Sequence, residues 1–192
     1  MENRCSWANN SEIYSKYHDE EWGKTLHDDQ KLFEFLILEG MQAGLSWITI
    51  LKKREAFRKA FANFDAKKVA AFGQDKIDEL MQNQDIIRNK LKIEAAISNA
   101  KNFLKIVAEF ESFDAYIWKF VDNKPIVNHW TKLSDLPART ELSDLISKDL
   151  KKRGFKFVGS TIVYSHMQAT GMVNDHLVSC FCHPAWQHAN DR

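Results

Sequence analysis

Sharp turns, disulfides, membrane spans and excess charge are all scarce in this sequence. The 192 residues hold only 7 glycines and 3 prolines. That is too few turn-formers for a sandwich or barrel of many short strands. The three cysteines, Cys5, Cys180 and Cys182, cannot form an even disulfide framework. In a reducing compartment they are free thiols or metal ligands. No apolar run reaches the roughly 18 residues a membrane span needs. The polar N-terminus has no signal-peptide pattern, so a soluble cytoplasmic protein is expected. The net charge of +1 does not announce a nucleic-acid partner, although local clustering of basic residues still could. No repeat, low-complexity segment, linker or convincing alternating strand is visible.

Material for a core is ample: 44% hydrophobic and 12% aromatic residues, with 6 Trp and 13 Phe. The length suits a single domain over 1–192, possibly two helical lobes sharing a cleft. Residues 1–27 read as irregular, except that Tyr14, Tyr17 and His18 would share a face of one helical turn. Asp28 or Asp29 caps a helix through Leu38, and a second helix is expected from about Leu45 to Asn63. Short helices follow after Asp65 and over 75–82. The link 84–90 leads into a long helix of about 89–109. Phe113–Val121, a helix capped by Thr140 and closed by Gly154, and Ser160–Thr170 complete the series. Residues 122–139 read as a loop. The fold class is all-α.

The chain is organised around Ile37-Leu38-Glu39-Gly40-Met41-Gln42-Ala43-Gly44-Leu45-Ser46-Trp47. A glutamate ending an apolar helical run sits at the edge of a core, where desolvation raises a carboxyl pKa. Gly40 and Gly44 permit a tight turn and close approach by another backbone. Trp47 offers a flat face within reach of Glu39, and the two suit a planar ligand. A plain helix corner, with Glu39 facing solvent and Trp47 in the core, accounts for the same pattern.

Three further constellations carry chemistry. In His176-x-x-x-Cys180, a helical turn would point both side chains toward one ion. Cys5 and His18 could complete a closed Cys2His2 site tying the two ends of the chain together, with Cys182 and His183 as rival ligands. Scattered, unliganded residues are the alternative. The rings Trp7, Tyr14, Tyr17, Trp22 and Trp47 are interleaved with polar groups, as in walls that recognise flipped bases, although core packing also uses such rings. The basic runs Lys52-Lys53-Arg54, Arg88-Asn89-Lys90-Leu91-Lys92 and Lys151-Lys152-Arg153 could line one phosphate-binding face or be solvated surface.

Several long motifs resemble one family. They are Cys5-Ser6-Trp7, Tyr17-His18-Asp19-Glu20-Glu21-Trp22-Gly23, the Leu38–Trp47 stretch, Leu51-Lys52-Lys53-Arg54, Lys151–Gly159 and Val173-Asn174-Asp175-His176. The family is the bacterial 3-methyladenine DNA glycosylases of the constitutive, Tag type, and the resemblance covers nearly the whole chain. It implies a helix–hairpin–helix glycosylase fold with one structural zinc held by Cys5, His18, His176 and Cys180. It puts the base-recognising acid on Glu39, the base-stacking rings on Tyr14, Tyr17 and Trp47 with Trp7 and Trp22 nearby, and a DNA wedge on Gln42 and Leu45. The expected partner is alkylated double-stranded DNA, the product is free 3-methyladenine, and the enzyme is a monomer working by simple hydrolysis. The glycine-rich hairpin of the wider superfamily is missing from 84–90. Lys90 and Lys92 leave a lyase activity formally open. Two competing classes are a zinc-stapled nucleic-acid-binding module without catalysis and a zinc hydrolase, which would need an open coordination position.

Overall fold

The computed structural model describes residues 3–186. Nine α-helices occur in these residues: α1 (Glu12–Glu20), α2 (Asp29–Gln42), α3 (Trp47–Ala60), α4 (Ala66–Ala70), α5 (Gln74–Gln82), α6 (Lys90–Phe110), α7 (Phe113–Trp118), α8 (Glu141–Lys152) and α9 (Ser160–Ala169). Side chains that prefer the cap start most of them. Ser11, Asp28, Asp65, Asn89 and Ser112 each accept a backbone N–H from the first turn of their helix, and Thr140 forms a capping box with Ser143. No helix among the described residues is long and apolar enough to cross a membrane.

Helix α2 is the hub. Every residue from Leu32 to Met41 is buried, Glu34 and Glu39 included. A helix buried all round must be surrounded, and α2 packs against α3, α6, α7 and α9. Phenylalanine fills much of the core around it: Phe33, Phe57, Phe61, Phe64 and Phe113 are fully enclosed, and Phe103 and Phe113 stack at 4.5 Å. The buried Glu34 is paired with Arg58 at 2.7 Å, so its charge is satisfied. The buried Glu39 has no such partner.

Two regions differ from the expectation. Residues 6–20 are ordered as a 3-10 turn (Ser6–Asn10), which has no side-chain cap, followed by α1, which Ser11 caps. Within 122–139, Ile126–Val127 forms a strand, β1, pairing in parallel with Val173–Asn174, β2. Two residues are too few to show alternation in sequence. The pairing anchors the long loop beside the segment that carries His176.

The turn between α2 and α3 matches the glycine reading. Gly44 takes φ +79°, a conformation other residues adopt only with strain. Gly40 lies inside α2, where an added Cβ would come within 3.3 Å of Phe157 Cβ. The bare backbone there lets the 155–158 loop lie against the hub.

Candidate active site and metal centre

A cleft of about 410 Å³ opens where α1, α2, α3 and α9 meet. That is in the size range of small-ligand sites. Its walls are Trp7, Tyr14, Tyr17, Trp22 and Trp47, with Glu39 and Gln42 from α2 and Ser165 and Gln168 from α9. The rings meet edge to face or tilted: Trp7–Trp22 at 5.1 Å, Trp7–Tyr14 at 5.5 Å and Tyr17–Trp47 at 5.6 Å. Mutual packing fixes these faces before any ligand arrives. The Tyr14 hydroxyl accepts the Ile48 N–H at 3.0 Å, joining α1 to the first turn of α3.

Two polar atoms in this wall are buried without partners, Glu39 Oε2 and Trp47 Nε1. Buried polar groups are almost always hydrogen-bonded, so a coincident orphan acceptor and orphan donor call for an explanation. Desolvation pushes the Glu39 carboxyl from its ordinary 4.5 up to about 8. Burial likewise drives the Tyr17 phenol well above its usual range, and the nearby Glu39 and Glu21 charges add to the rise. The cleft is aromatic and poor in fixed charge. A cation entering it would find an acid able to become its counter-ion.

Behind the Trp7 and Trp22 rings, Cys5, His18, His176 and Cys180 are all buried, each with a ligand atom within 4.8 Å of the others. His18 Nδ1 faces the Asp19 carboxylate at 2.8 Å, and His176 Nε2 faces the Trp22 carbonyl at 2.9 Å. Both neighbours are acceptors, so those ring nitrogens carry the protons. The bare nitrogens, His18 Nε2 and His176 Nδ1, then point at each other 3.2 Å apart. Two lone pairs at that distance repel unless a cation lies between them. Hydrogen bonds from Cys182 and Cys5 hold the Cys180 thiol down, toward its thiolate. Two sulfurs and two outward-oriented imidazoles make a donor set that fits a tetrahedral soft-to-borderline metal ion.

His176 and Cys180 do not converge on a helical turn as expected. They lie in a turn after β2, closed by the Cys180 N–H bonding to Leu177 O at 2.8 Å. Of the rivals, His183 is engaged elsewhere, with Nε2 on Asn128 O and Nδ1 accepting the Ala185 N–H. Cys182 lies at the rim in a smaller grouping with His18 and Asp19. All five rings, Glu39 and Gln42 line the cleft, whereas Leu45 stands 42% exposed on the α2–α3 turn. The basic runs are only partly free. Arg54 is paired with Glu21, and Arg153 with Glu109 and Asp149. Lys53 donates to Gln84 O and Asp85 O, while Lys52, Arg88, Lys90, Lys151 and Lys152 remain exposed.

Sequence reasoning missed Ser165 and Gln168. Gln168 donates its Nε2 to Asp175 at 2.8 Å, and this buried carboxylate also accepts from Asn128, Trp130 and Tyr164. The i, i+3 spacing of Ser165 and Gln168 put them on one face of α9, but nothing in the sequence aimed that face at Glu39.

Comparisons with known proteins find similarity over nearly the whole chain. A family model described as methyladenine glycosylase matches residues 7–183. The chain is 51% identical over 181 residues to the DNA-3-methyladenine glycosylase 1 of Escherichia coli K12, covering 94% of this chain and 97% of that protein. It is 52% identical over 182 residues to the DNA-3-methyladenine glycosylase of Haemophilus influenzae, covering 95% and 98%. Among solved structures, a variant of 3-methyladenine DNA glycosylase I in complex with 3-methyladenine superposes with a TM-score of 0.90 at 38% identity, covering 95% of this chain and 97% of that one.

Proposed function

The chain belongs to the methyladenine glycosylase family, and from that premise we propose that it excises 3-methyladenine from alkylated double-stranded DNA. It hydrolyses the N-glycosidic bond, releases the free base and leaves an abasic site. Residues 1–192 act as one helix–hairpin–helix domain, a cytoplasmic monomer, with the 84–90 link as the hairpin.

The observation that carries this reading is the pair of orphan polar atoms, Glu39 Oε2 and Trp47 Nε1, inside an aromatic cleft. A flipped purine edge offers donors and acceptors to both. Adenine methylated at N3 is a cation, so its bond to C1′ is already weakened. Extrusion costs a few kcal/mol, less for a damaged base. Tyr14, Tyr17 and Trp47, backed by Trp7 and Trp22, hold the charged ring by stacking and cation–π attraction, about 0.5–2 kcal/mol per good contact. Glu39 accepts hydrogen bonds from the base and, as a carboxylate, faces its charge. Gln42 and Leu45 fill the space left in the duplex. Water attacks C1′, and the C1′–N9 electrons return to the base and neutralise it, so no strong acid is needed at the leaving group.

Cys5, His18, His176 and Cys180 hold one zinc ion. Its chemistry there is structural: with four protein ligands it joins the first and last segments and backs the wall formed by Trp7 and Trp22. Of the two lysines near the link, Lys92 Nζ is already bonded to Met41 O and Ala43 O, whereas Lys90 is exposed, 3.9 Å from Glu94.

The test is release of free 3-methyladenine from methylated duplex DNA, read by chromatography, with borohydride added in a parallel reaction. Base release without a trapped protein–DNA adduct is expected. No release sinks the proposal, and a borohydride-trapped adduct sinks the monofunctional assignment.

A further inference from the structure

We infer that Lys92 is a positioning residue for the α2–α3 turn, holding Gln42 and Leu45 rigid against the DNA base stack. Lys92 sits in the first turn of α6 and is 8% exposed. Its ammonium donates to Met41 O at 2.7 Å and to Ala43 O at 2.6 Å, the carbonyls on either side of Gln42. These are short, charge-assisted bonds. They satisfy carbonyls left without helical partners at the end of α2. They also set a cation at the negative end of the helix dipole, where α2 has no basic residue of its own in its last turn.

Burial lowers the Lys92 pKa, so its desolvation opposes folding. A methionine would fill the same space without that cost. What the ammonium adds is a fixed distance between α6 and the turn. Beyond Ala43 the chain reverses at Gly44, and the Leu45 N–H closes onto Gln42 O at 2.6 Å. On the other side Lys53 of α3 donates to Gln84 O and Asp85 O at 3.2 and 3.1 Å. Two lysines therefore stitch the link, α6, the turn and α3 into one body. A side chain inserted into a base stack meets a restoring force, and it works only if the backbone beneath it does not yield.

This proposal rests on the reading of Gln42 and Leu45 as the wedge. Its experiment compares Lys92→Met with Leu45→Ala. Each is assayed for 3-methyladenine excision from duplex and from single-stranded oligonucleotides, and for binding of free 3-methyladenine by tryptophan fluorescence. A single strand leaves no hole to fill. Lys92→Met removes both charged hydrogen bonds and is expected to lose duplex excision by at least about tenfold, the scale of either one alone. Single-strand excision and free-base affinity should stay at wild-type levels, and Leu45→Ala should show the same split. If Lys92→Met lowers both substrates equally, or neither, the positioning role is overturned. If Leu45→Ala leaves duplex excision unchanged, the wedge reading itself falls and takes this inference with it. Should Lys92→Met not fold, Lys92→Gln, which keeps a donor, is measured by the same split.

Discussion

Replacing Glu39 by glutamine should make the protein more stable and less active, and both effects can be sized. A carboxyl whose folded pKa is raised binds its proton more tightly in the folded state. It contributes nothing unfavourable below its ordinary value of 4.5, and its penalty grows as pH rises until it levels off above about 8. Moving a carboxyl from 4.5 to about 8 corresponds to about 5 kcal/mol of lost stability at alkaline pH. Glutamine has the same shape and no charge to desolvate. Urea unfolding of both proteins at pH 5 and pH 9 measures the difference. The wild type should lose several kcal/mol more than Glu39→Gln over that interval, and the variant should be the more stable protein at pH 9. Its excision of 3-methyladenine should fall by about 10- to 100-fold, the worth of a hydrogen bond to a charged partner. Parallel pH dependences for the two proteins would show that Glu39 carries no desolvation penalty. Wild-type excision by the variant would remove it from base recognition.

The same titration predicts a pH profile: kcat/KM on duplex DNA should rise with pH, with its midpoint at about 8 and its plateau above that, because the carboxylate is the form that faces a cationic base. A profile flat from pH 6 to 9 refutes that. Cys180→Ser should lose bound zinc, measured by elemental analysis, and melt at lower temperature, with excision falling only as the folded fraction falls. Protein purified without chelator and found free of zinc would remove the metal site. Gly44→Ala forces a side chain into φ +79° and should cost about 1 kcal/mol in urea unfolding. As nothing lies within 4 Å of the new methyl, a cost near zero would mean the turn relaxes.

The parts of the fold visible in sequence are those where one local signal suffices. The apolar run before Glu39 identified the hub, and Asp28, Asp65 and Thr140 marked helix starts as capping chemistry requires, whereas the cap at Asn89 was not read. The Cys5, His18, His176 and Cys180 grouping was also visible, because few residue types bind metal and the chain has few of them. The geometry behind it was not: a turn after β2, rather than a helix, brings His176 and Cys180 together. The basic runs misled for a related reason. Glu21, the partner of Arg54, lies 33 positions away, and Glu109, one partner of Arg153, lies 44 away, distances no local pattern reveals, although Arg153 also pairs with Asp149 one helical turn before it. Gln168 and Ser165 escaped notice because pocket membership is decided by how α9 docks on α2.

The walls of the cleft come from Trp7 near one end of the chain and Gln168 near the other, with Glu39 and Trp47 between. Only a stretch that runs from residue 7 through residue 168 contains them all. A chain still on the ribosome with α9 not yet emerged would carry the rings and the acid but have an open side where Ser165 and Gln168 belong. Competence to hold a base should therefore arise only once α9 has emerged and docked, and a chain terminated before α9 should be inert toward intact DNA rather than partially active.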